Sequence, residues 1–198
     1  MRTRDTDKEN LVIEKAIEQI VADGFQGFSM NKLAKACNIS VATLYIYYKD
    51  KDDLIEKIGS EIGENFFTST LHDFSPDMSF EAGLWMQWKN RSDFAIKYPK
   101  EVACLEVIKH SPHAESIFGN SEDLMVFKKM MKDFVANALK NKQVVKLPVE
   151  TFWSIAYGPL HTLLNFHREK KSFGGEPFTL TEDRLEEAFK LVIKALKP

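Results

Sequence analysis

The sequence predicts an all-α protein, and three observations carry that prediction. Apolar residues recur with the 3.6-residue period of an amphipathic helix through nearly all of the 198-residue chain, and no run shows the strict alternation of a half-buried strand. The apolar runs are separated by residues that start or stop helices, mainly Ser, Asp, Gly and Pro. The composition, 44% hydrophobic and 28% charged, is typical of a globular protein. We therefore expect roughly nine or ten helices and no sheet.

The first three helices are predicted to form a helix-turn-helix. A helix over about residues 8–23 carries one apolar stripe, and Gly24 stands where a left-handed C-terminal cap is expected. A short second helix follows Ser29, a preferred N-cap residue. Ser40 is expected to cap the third helix, residues 41–47, because its side chain can accept hydrogen bonds from the free amides of the first turn. Two short helices joined by a three-residue turn form the helix-turn-helix motif.

A long fourth helix is predicted to belong to two domains. It begins at Lys51 after the N-cap residue Asp50 and extends to about residue 74. We divide the chain within this helix, into an N-terminal three-helix domain of residues 1–60 and a larger helical domain of residues 61–198. The later helices are predicted at about residues 79–97, 99–110, 112–118, 121–140, 148–170 and 181–197.

The N-terminal residues match a known pattern. Between residues 12 and 54 the order is helix, short helix, turn, short helix and a lysine at the next helix start, with TLYIYY at residues 43–48 and then Lys51. This stretch resembles the DNA-binding domain of tetracycline-repressor (TetR) family regulators, which usually have phenylalanine where Tyr48 stands and often glycine where Ala42 stands. The resemblance is specific over residues 1–60, and the rest of the chain matches only in being helical and of the expected length.

The resemblance implies a function and a set of partners. It implies a transcriptional regulator that binds double-stranded operator DNA as a homodimer. The cytoplasm is the expected compartment, because the sequence shows neither a membrane span nor a signal peptide. Residues 61–198 would bind a small-molecule effector and form the dimer. Repression, with release by the effector, is the usual mode of the family.

The third helix carries a face suited to phosphates. Leu44 and Tyr48 are expected to anchor it to the preceding helices, which leaves the other side chains on its outer faces. Thr and Tyr hydroxyls are good donors to phosphate oxygens, and Lys51 stands at a helix N-terminus, where free amides favour an anion. The predicted DNA-binding residues are Ser29, Asn31, Ser40, Val41, Ala42, Thr43, Tyr45, Ile46, Tyr47 and Lys51.

Base recognition by this helix is less well specified. Val41, Ala42 and Ile46 can contact thymine methyl groups, and Thr43 can bond to several bases. The helix contains no Arg, Asn or Gln, so the strong bidentate contacts to guanine or adenine must come from elsewhere. The candidates outside the helix are Asn31, Lys32, Arg2 and Arg4.

Charge and composition exclude several classes of protein. The net charge is −2, so the chain lacks a strong positive field, and we expect only modest non-specific affinity for DNA. No apolar run reaches the roughly 18 residues of a membrane-spanning helix, and the start lacks the apolar segment of a signal peptide. Cys37 and Cys104, the only cysteines, lie in helical patterns and are expected to be buried thiols.

Aromatic side chains are frequent after residue 65 and favour an apolar or aromatic effector. Most of them are expected to fill the core. Arg91 shares a helix face with Trp88 and either pairs with an anionic ligand or lies at the surface. His161 shares a face with Tyr157 and either touches a ligand or is a satisfied core or interface histidine. The candidate ligand-binding residues are Phe66, Trp85, Trp88, Arg91, Tyr98, Phe127, Met131, Trp153, Tyr157 and His161.

The last two helices are predicted to be an assembly surface. Two helices from each of two copies would form a four-helix bundle, although packing within one chain would produce the same periodicity. The pair Gly158-Pro159 predicts a kink in the earlier of the two helices. The apolar stripe of the final helix consists of Leu185, Ala188, Phe189, Val192 and Leu196.

No catalytic or metal-binding constellation is visible. His110 and His113 are separated by a proline and lack further ligands nearby, and Gly174-Gly175 is followed by Glu and Pro rather than by a phosphate-binding helix start. We therefore expect no enzyme and no cofactor. The alternatives are a helical small-molecule-binding protein or enzyme with an accessory N-terminal domain, and a protein-interaction module that uses the Tyr-rich helix.

Overall fold

The computed structural model describes residues 2–119 and 121–198, with side chains from Thr6 onward, and it is all-helical, as the sequence predicts. The described residues form no strand, and one isolated β-bridge pairs Lys171 with Pro177. None of the described helices is both long enough and apolar enough to cross a membrane. The helices of the described residues are α1 (Arg2–Gly27), α2 (Met30–Ala36), α3 (Val41–Tyr47), α4 (Lys51–Thr70), α5 (Phe80–Lys97), α6 (Pro99–Lys109), α7 (Ala114–Phe118), α8 (Glu122–Lys140), α9 (Val149–Glu169) and α10 (Glu182–Leu196).

Most helix boundaries lie close to the predicted ones, and the differences have local causes. α1 is interrupted at Gly24, where the sequence predicts its end, but a short helical segment follows to Gly27. Gly24 has φ 63° and ψ −175°, a backbone conformation that is essentially restricted to glycine. α4 ends at Thr70, earlier than predicted, because the chain turns there and Asp73 adopts a positive φ of 54°.

The chain divides into two compact units that are not continuous in sequence. The first comprises Met1–Asn65 and Lys100–Leu124, and the second comprises Phe66–Pro99 and Met125–Pro198. The predicted N-terminal domain, residues 1–60, lies within the first unit. Residues 100–124 join that unit because Cys104, Ile108 and Ile117 are part of its hydrophobic core.

Aromatic side chains fill the core of the second unit. Phe134 is fully buried, stacked on Phe80 with 5.8 Å between ring centroids and edge-on to Phe74 at 5.2 Å. Gly83 on α5 faces the same ring, and a Cβ atom there would lie 2.4 Å from Phe134 Cε2. A side chain at position 83 would therefore collide with a ring that its neighbours hold in place.

The apolar stripe of α10 is covered within its own chain. Leu185, Phe189, Val192 and Leu196 are all buried, and the Phe189 ring packs against Trp85 at 4.9 Å and Trp88 at 5.5 Å. The expectation that these four residues meet a second copy was wrong, because their side chains are already buried within their own chain.

Candidate functional site

Two buried side chains hold α3 against the first unit. Leu44 is 0% exposed and Tyr48 is 4% exposed, so both anchors predicted from the sequence are confirmed as buried. The Tyr48 hydroxyl has no hydrogen-bond partner among the described residues, and burial, with nearby carboxylates as a smaller cause, raises the pKa of Tyr48 to about 12. The face of α3 opposite these anchors is left for solvent or a partner.

A side-chain cap defines the start of α3. Ser40 Oγ accepts a hydrogen bond from the Thr43 backbone amide at 3.1 Å, and the two hydroxyl oxygens are 2.8 Å apart. A helix as short as α3 is marginal by itself, so a cap worth about 1 kcal/mol is a large part of its local stability. The cap also fixes the Thr43 hydroxyl at the outer surface of the first turn.

The outer face of α3 exposes apolar and aromatic groups together. Ile46 is 77% exposed and Tyr45 is 52% exposed, with the exposed Ala42 one turn earlier on the same helix. Val41 and Tyr47 are half-buried. A single exposed apolar residue is ordinary in a folded protein, but several on a short helix that also presents hydroxyl groups form a surface suited to DNA.

Lys51 begins α4 and is already bonded within the first unit. Its Nζ donates to the Phe25 carbonyl oxygen and lies 5.7 Å from the centroid of the Phe28 ring. Asp50 Oδ1 accepts from the Asp53 amide at 2.8 Å and caps α4, as predicted. A positive charge at a helix N-terminus is unfavourable by itself, and a phosphate bound there would offset this cost.

The other predicted DNA-contacting residues lie at the start of α2. Ser29 is half-buried at the N-cap position of α2 without a side-chain capping bond, and Asn31 is exposed. Lys32 Nζ lies 3.1 Å from Asp23 Oδ2 and donates to the Gly27 carbonyl oxygen at 3.2 Å. The side chains of Arg2 and Arg4 lie outside the described residues. The ammonium group of Lys32 is therefore already paired with Asp23 within the first unit.

Sequence reasoning missed the role of Lys57. Its Nζ donates to the Tyr47 carbonyl oxygen at 3.2 Å and pairs with Asp53 at 3.1 Å, and it lies 5.2 Å from the centroid of the Tyr48 ring. These contacts tie the end of α3 to α4. The spacing of four residues from Asp53 is the one signal in the sequence that indicates the ion pair.

A second cluster surrounds Arg91 in the second unit. Four aromatic rings, from α4, α8 and α9, lie within cation–π distance of its guanidinium carbon. Those carbon-to-centroid distances are 4.8 Å to Tyr157, 5.4 Å to Phe127, 5.5 Å to Phe66 and 5.7 Å to Trp153. All five residues belong to the predicted ligand-binding set, so the structure brings half of that set together.

The Arg91 side chain is buried and incompletely paired. It is 5% exposed, and its Nε and Nη2 atoms have no hydrogen-bond partner among the described residues. Burial lowers the pKa of the Arg91 guanidinium, and burial also raises the pKa of Tyr157 to about 12. The Tyr157 hydroxyl likewise has no partner among the described residues. A buried cation with unused donors is costly unless an anion accompanies it.

The remaining predicted ligand-binding residues lie elsewhere in the unit. Trp85 and Trp88 pack on α10, and the Trp88 indole nitrogen donates to the Ala156 carbonyl oxygen at 2.8 Å. Met131 is buried, and His161 is exposed. Tyr98 is half-buried and packs against Phe94, which in turn meets Phe66 of the Arg91 cluster.

Comparison with known proteins agrees with the geometry of the first unit. Residues 12–58 match the family described as bacterial regulatory proteins, tetR family. A 120-residue segment is 28% identical to an uncharacterised HTH-type transcriptional regulator of Haemophilus influenzae, covering 61% of this chain and 64% of that protein. A 121-residue segment is 27% identical to the Bacillus subtilis HTH-type regulator YuxN, covering 53% of this chain and 42% of that protein. The chain thus spans less than two thirds of the length of either curated relative.

Solved structures share the whole fold. A TetR family transcription regulator from Marinobacter aquaeolei superposes with a TM-score of 0.78 at 24% identity, covering 99% of this chain and 98% of that one. A TetR-family regulator from Haemophilus influenzae superposes with a TM-score of 0.71 at 22% identity, covering 98% and 99%. Residues 12–58 therefore form a domain of the kind found in bacterial regulatory proteins of the tetR family, and the rest of the chain shares the fold of solved TetR-family structures.

Proposed function

We propose that this chain is a sequence-specific DNA-binding transcriptional regulator, most simply a repressor that a small apolar or aromatic effector releases from its operator. The observation that carries the proposal is the outer face of α3, where Ile46 and Tyr45 are exposed over a buried anchor of Leu44 and Tyr48. A protein that acts on bacterial operators works in the cytoplasm.

In this proposal α3 enters the major groove of double-stranded DNA. Val41, Ala42 and Ile46 contact thymine methyl groups, and the Thr43 hydroxyl bonds to a base edge or a phosphate. Tyrosine and serine hydroxyls donate to phosphates on either side, which fixes the position of the helix without reading sequence. The phosphate-contacting residues are Ser40, Tyr45, Tyr47, Lys51 and, at the N-cap of α2, Ser29, whereas Asn31 is a candidate for a base contact.

The regulator is proposed to act as a homodimer. Two recognition helices must reach half-sites about 34 to 36 Å apart, or a multiple of that spacing, which a symmetric pair of chains achieves. With the α10 stripe buried, the second copy must use other residues of the last two helices. Leu191 is 65% exposed on α10, and Leu163 and Leu164 are half-buried on α9.

The effector is proposed to act through α4, which contributes residues to both units. Residues 51–65 of this helix belong to the first unit, and Phe66, beside Arg91, belongs to the second. An effector that binds one arrangement of α4 better changes the separation of the two recognition helices. Bound effector then weakens the affinity for DNA, and bound DNA weakens the affinity for the effector by the same factor.

A binding titration tests the proposal. Fluorescence anisotropy with a labelled duplex from upstream of the protein's own gene should show saturable binding that weakens as salt rises and that competitor DNA of unrelated sequence does not abolish. Ile46→Ala should weaken selective binding by tenfold or more, on the scale of one lost base contact. Met125→Ala, at a residue that is 55% exposed on α8, is the matched control and should bind as the wild type does. Absence of selective binding at low salt would refute the proposal.

A further inference from the structure

The Arg91 cluster holds a positive charge without a negative partner. Arg91 is 5% exposed, and no carboxylate of the described residues forms an ion pair with its guanidinium; Tyr157 is the one charged or ionisable neighbour that influences it. Buried arginines normally pair with a carboxylate or a phosphate, because the cost of removing the charge from water is otherwise uncompensated. None of the described residues completes the charge balance of this site.

The geometry of the unused donors of Arg91 is complementary to one kind of acceptor. The guanidinium carbon lies over the faces of the aromatic rings, which offer no oxygen or nitrogen acceptor to Nε and Nη2 there. Nε and Nη2 are the two nitrogens on one edge of the group, where their N–H bonds run parallel. This edge matches the two oxygens of a carboxylate in a bidentate pair.

We propose that the Arg91 edge binds the carboxylate of a small molecule whose body is apolar or aromatic. The proposal rests on the effector role proposed above and specifies its chemistry. The Tyr157 hydroxyl, which is also unpaired, supplies a third donor to the same anion. One guanidinium balances one negative charge, so a carboxylate fits better than a phosphate monoester, which carries between one and two charges and more oxygens to satisfy.

Two of the four rings around Arg91 are half-buried. Phe127 is 7% exposed and Tyr157 is 0% exposed, whereas Phe66 and Trp153 are half-buried. In this proposal Phe66 and Trp153 are the rings that a ligand displaces on entry and that cover its apolar body. A tryptophan in this position also gives an optical signal of binding.

The test compares carboxylates with their uncharged amides on the full-length protein. Isothermal titration calorimetry is carried out with phenylacetate and phenylacetamide, with octanoate and octanamide, and with octyl phosphate. At least one carboxylate should bind ten times or more tightly than its amide and more tightly than octyl phosphate. Arg91→Met should abolish that preference. Arg184→Met is the control, because Arg184 also lies over an aromatic ring, 4.8 Å from the centroid of Phe178, but is exposed.

Each outcome decides the proposal. If no carboxylate is preferred over its amide, or if Arg91→Met keeps the preference, the assignment fails. Should Arg91→Met not unfold cooperatively, Arg91→Lys replaces it, since lysine keeps the charge but lacks two parallel donors and should lose at least tenfold in carboxylate affinity. Release of labelled DNA is followed separately. Carboxylate binding without DNA release supports the site and refutes the effector role, whereas DNA binding without carboxylate binding refutes the site alone.

Discussion

Ser40 caps α3 through Thr43: the serine Oγ accepts from the Thr43 amide at 3.1 Å, and the two hydroxyl oxygens are 2.8 Å apart. We expect Ser40→Ala to lower the free energy of unfolding by about 1 kcal/mol, because the amide loses its acceptor. Urea denaturation measures the change. The control is Ser60→Ala, at an exposed position inside α4, where alanine should leave stability equal or slightly higher. Equal stability losses in both variants would contradict the capping role.

Lys51→Ala should weaken DNA binding whatever the DNA sequence. If the ammonium meets a phosphate, its removal reduces the slope of log affinity against log salt by about 1. The variant also loses the hydrogen bond to the Phe25 carbonyl oxygen, so its unfolding must be measured alongside. Lys128→Ala, at an exposed lysine of α8, changes the net charge equally and should leave the slope unchanged. An unaltered slope in Lys51→Ala would place the phosphate contact elsewhere.

Gly24→Ala should destabilise the protein although there is room for a methyl group. A Cβ atom at position 24 would meet no heavy atom within 4 Å, but the backbone there has φ 63° and ψ −175°. Forcing alanine into that conformation costs about 1 to 3 kcal/mol. Gly174, which has the same open space without a positive φ, is the control, and Gly174→Ala should change stability by less than about 0.5 kcal/mol. Thermal denaturation of the two variants shows whether the destabilisation comes from backbone strain at position 24 or from adding a methyl group as such.

The ion pairs of Glu18 make the stability of the first unit depend on pH below about 4.5. Hydrogen bonds from Lys100 at 2.6 Å and Lys15 at 2.8 Å lower the pKa of Glu18 from 4.5 to about 2. The contribution is therefore fully present above pH 4.5 and is lost as pH falls toward 2, where the carboxylate takes up a proton in the folded state. Glu18→Gln should show a shallower loss of stability across this range. Glu64→Gln, at an exposed carboxylate of α4, should retain the wild-type slope.

The helices were predictable because their boundaries are local. Ser40 and Asp50 cap through bonds to amides three residues away, and Pro99 stands at the first position of α6. The anchors of α3 were predictable for the same reason, since a seven-residue helix has few ways to bury one face.

The Arg91 cluster was not predictable as a cluster. Its residues come from four helices, and the farthest two in sequence are Phe66 and Tyr157. Periodicity identifies which side of each helix is apolar but does not say which sides meet. The burial of the α10 stripe was not predictable for the same reason. Phe189 packs on Trp85 and Trp88, which are far away in sequence, and periodicity does not show whether it faces them or a second copy.

The discontinuous first unit has a consequence for how the protein is made. Its core includes Val12 and Leu44 near the start of the chain but also Cys104, Ile108 and Ile117. During synthesis the N-terminal helices cannot complete this core until Ile117 has left the ribosome. Part of their apolar surface stays exposed to solvent until then. Such long-range closure slows folding and exposes nascent chains to aggregation, so the first unit is expected to mature late although most of it is translated first.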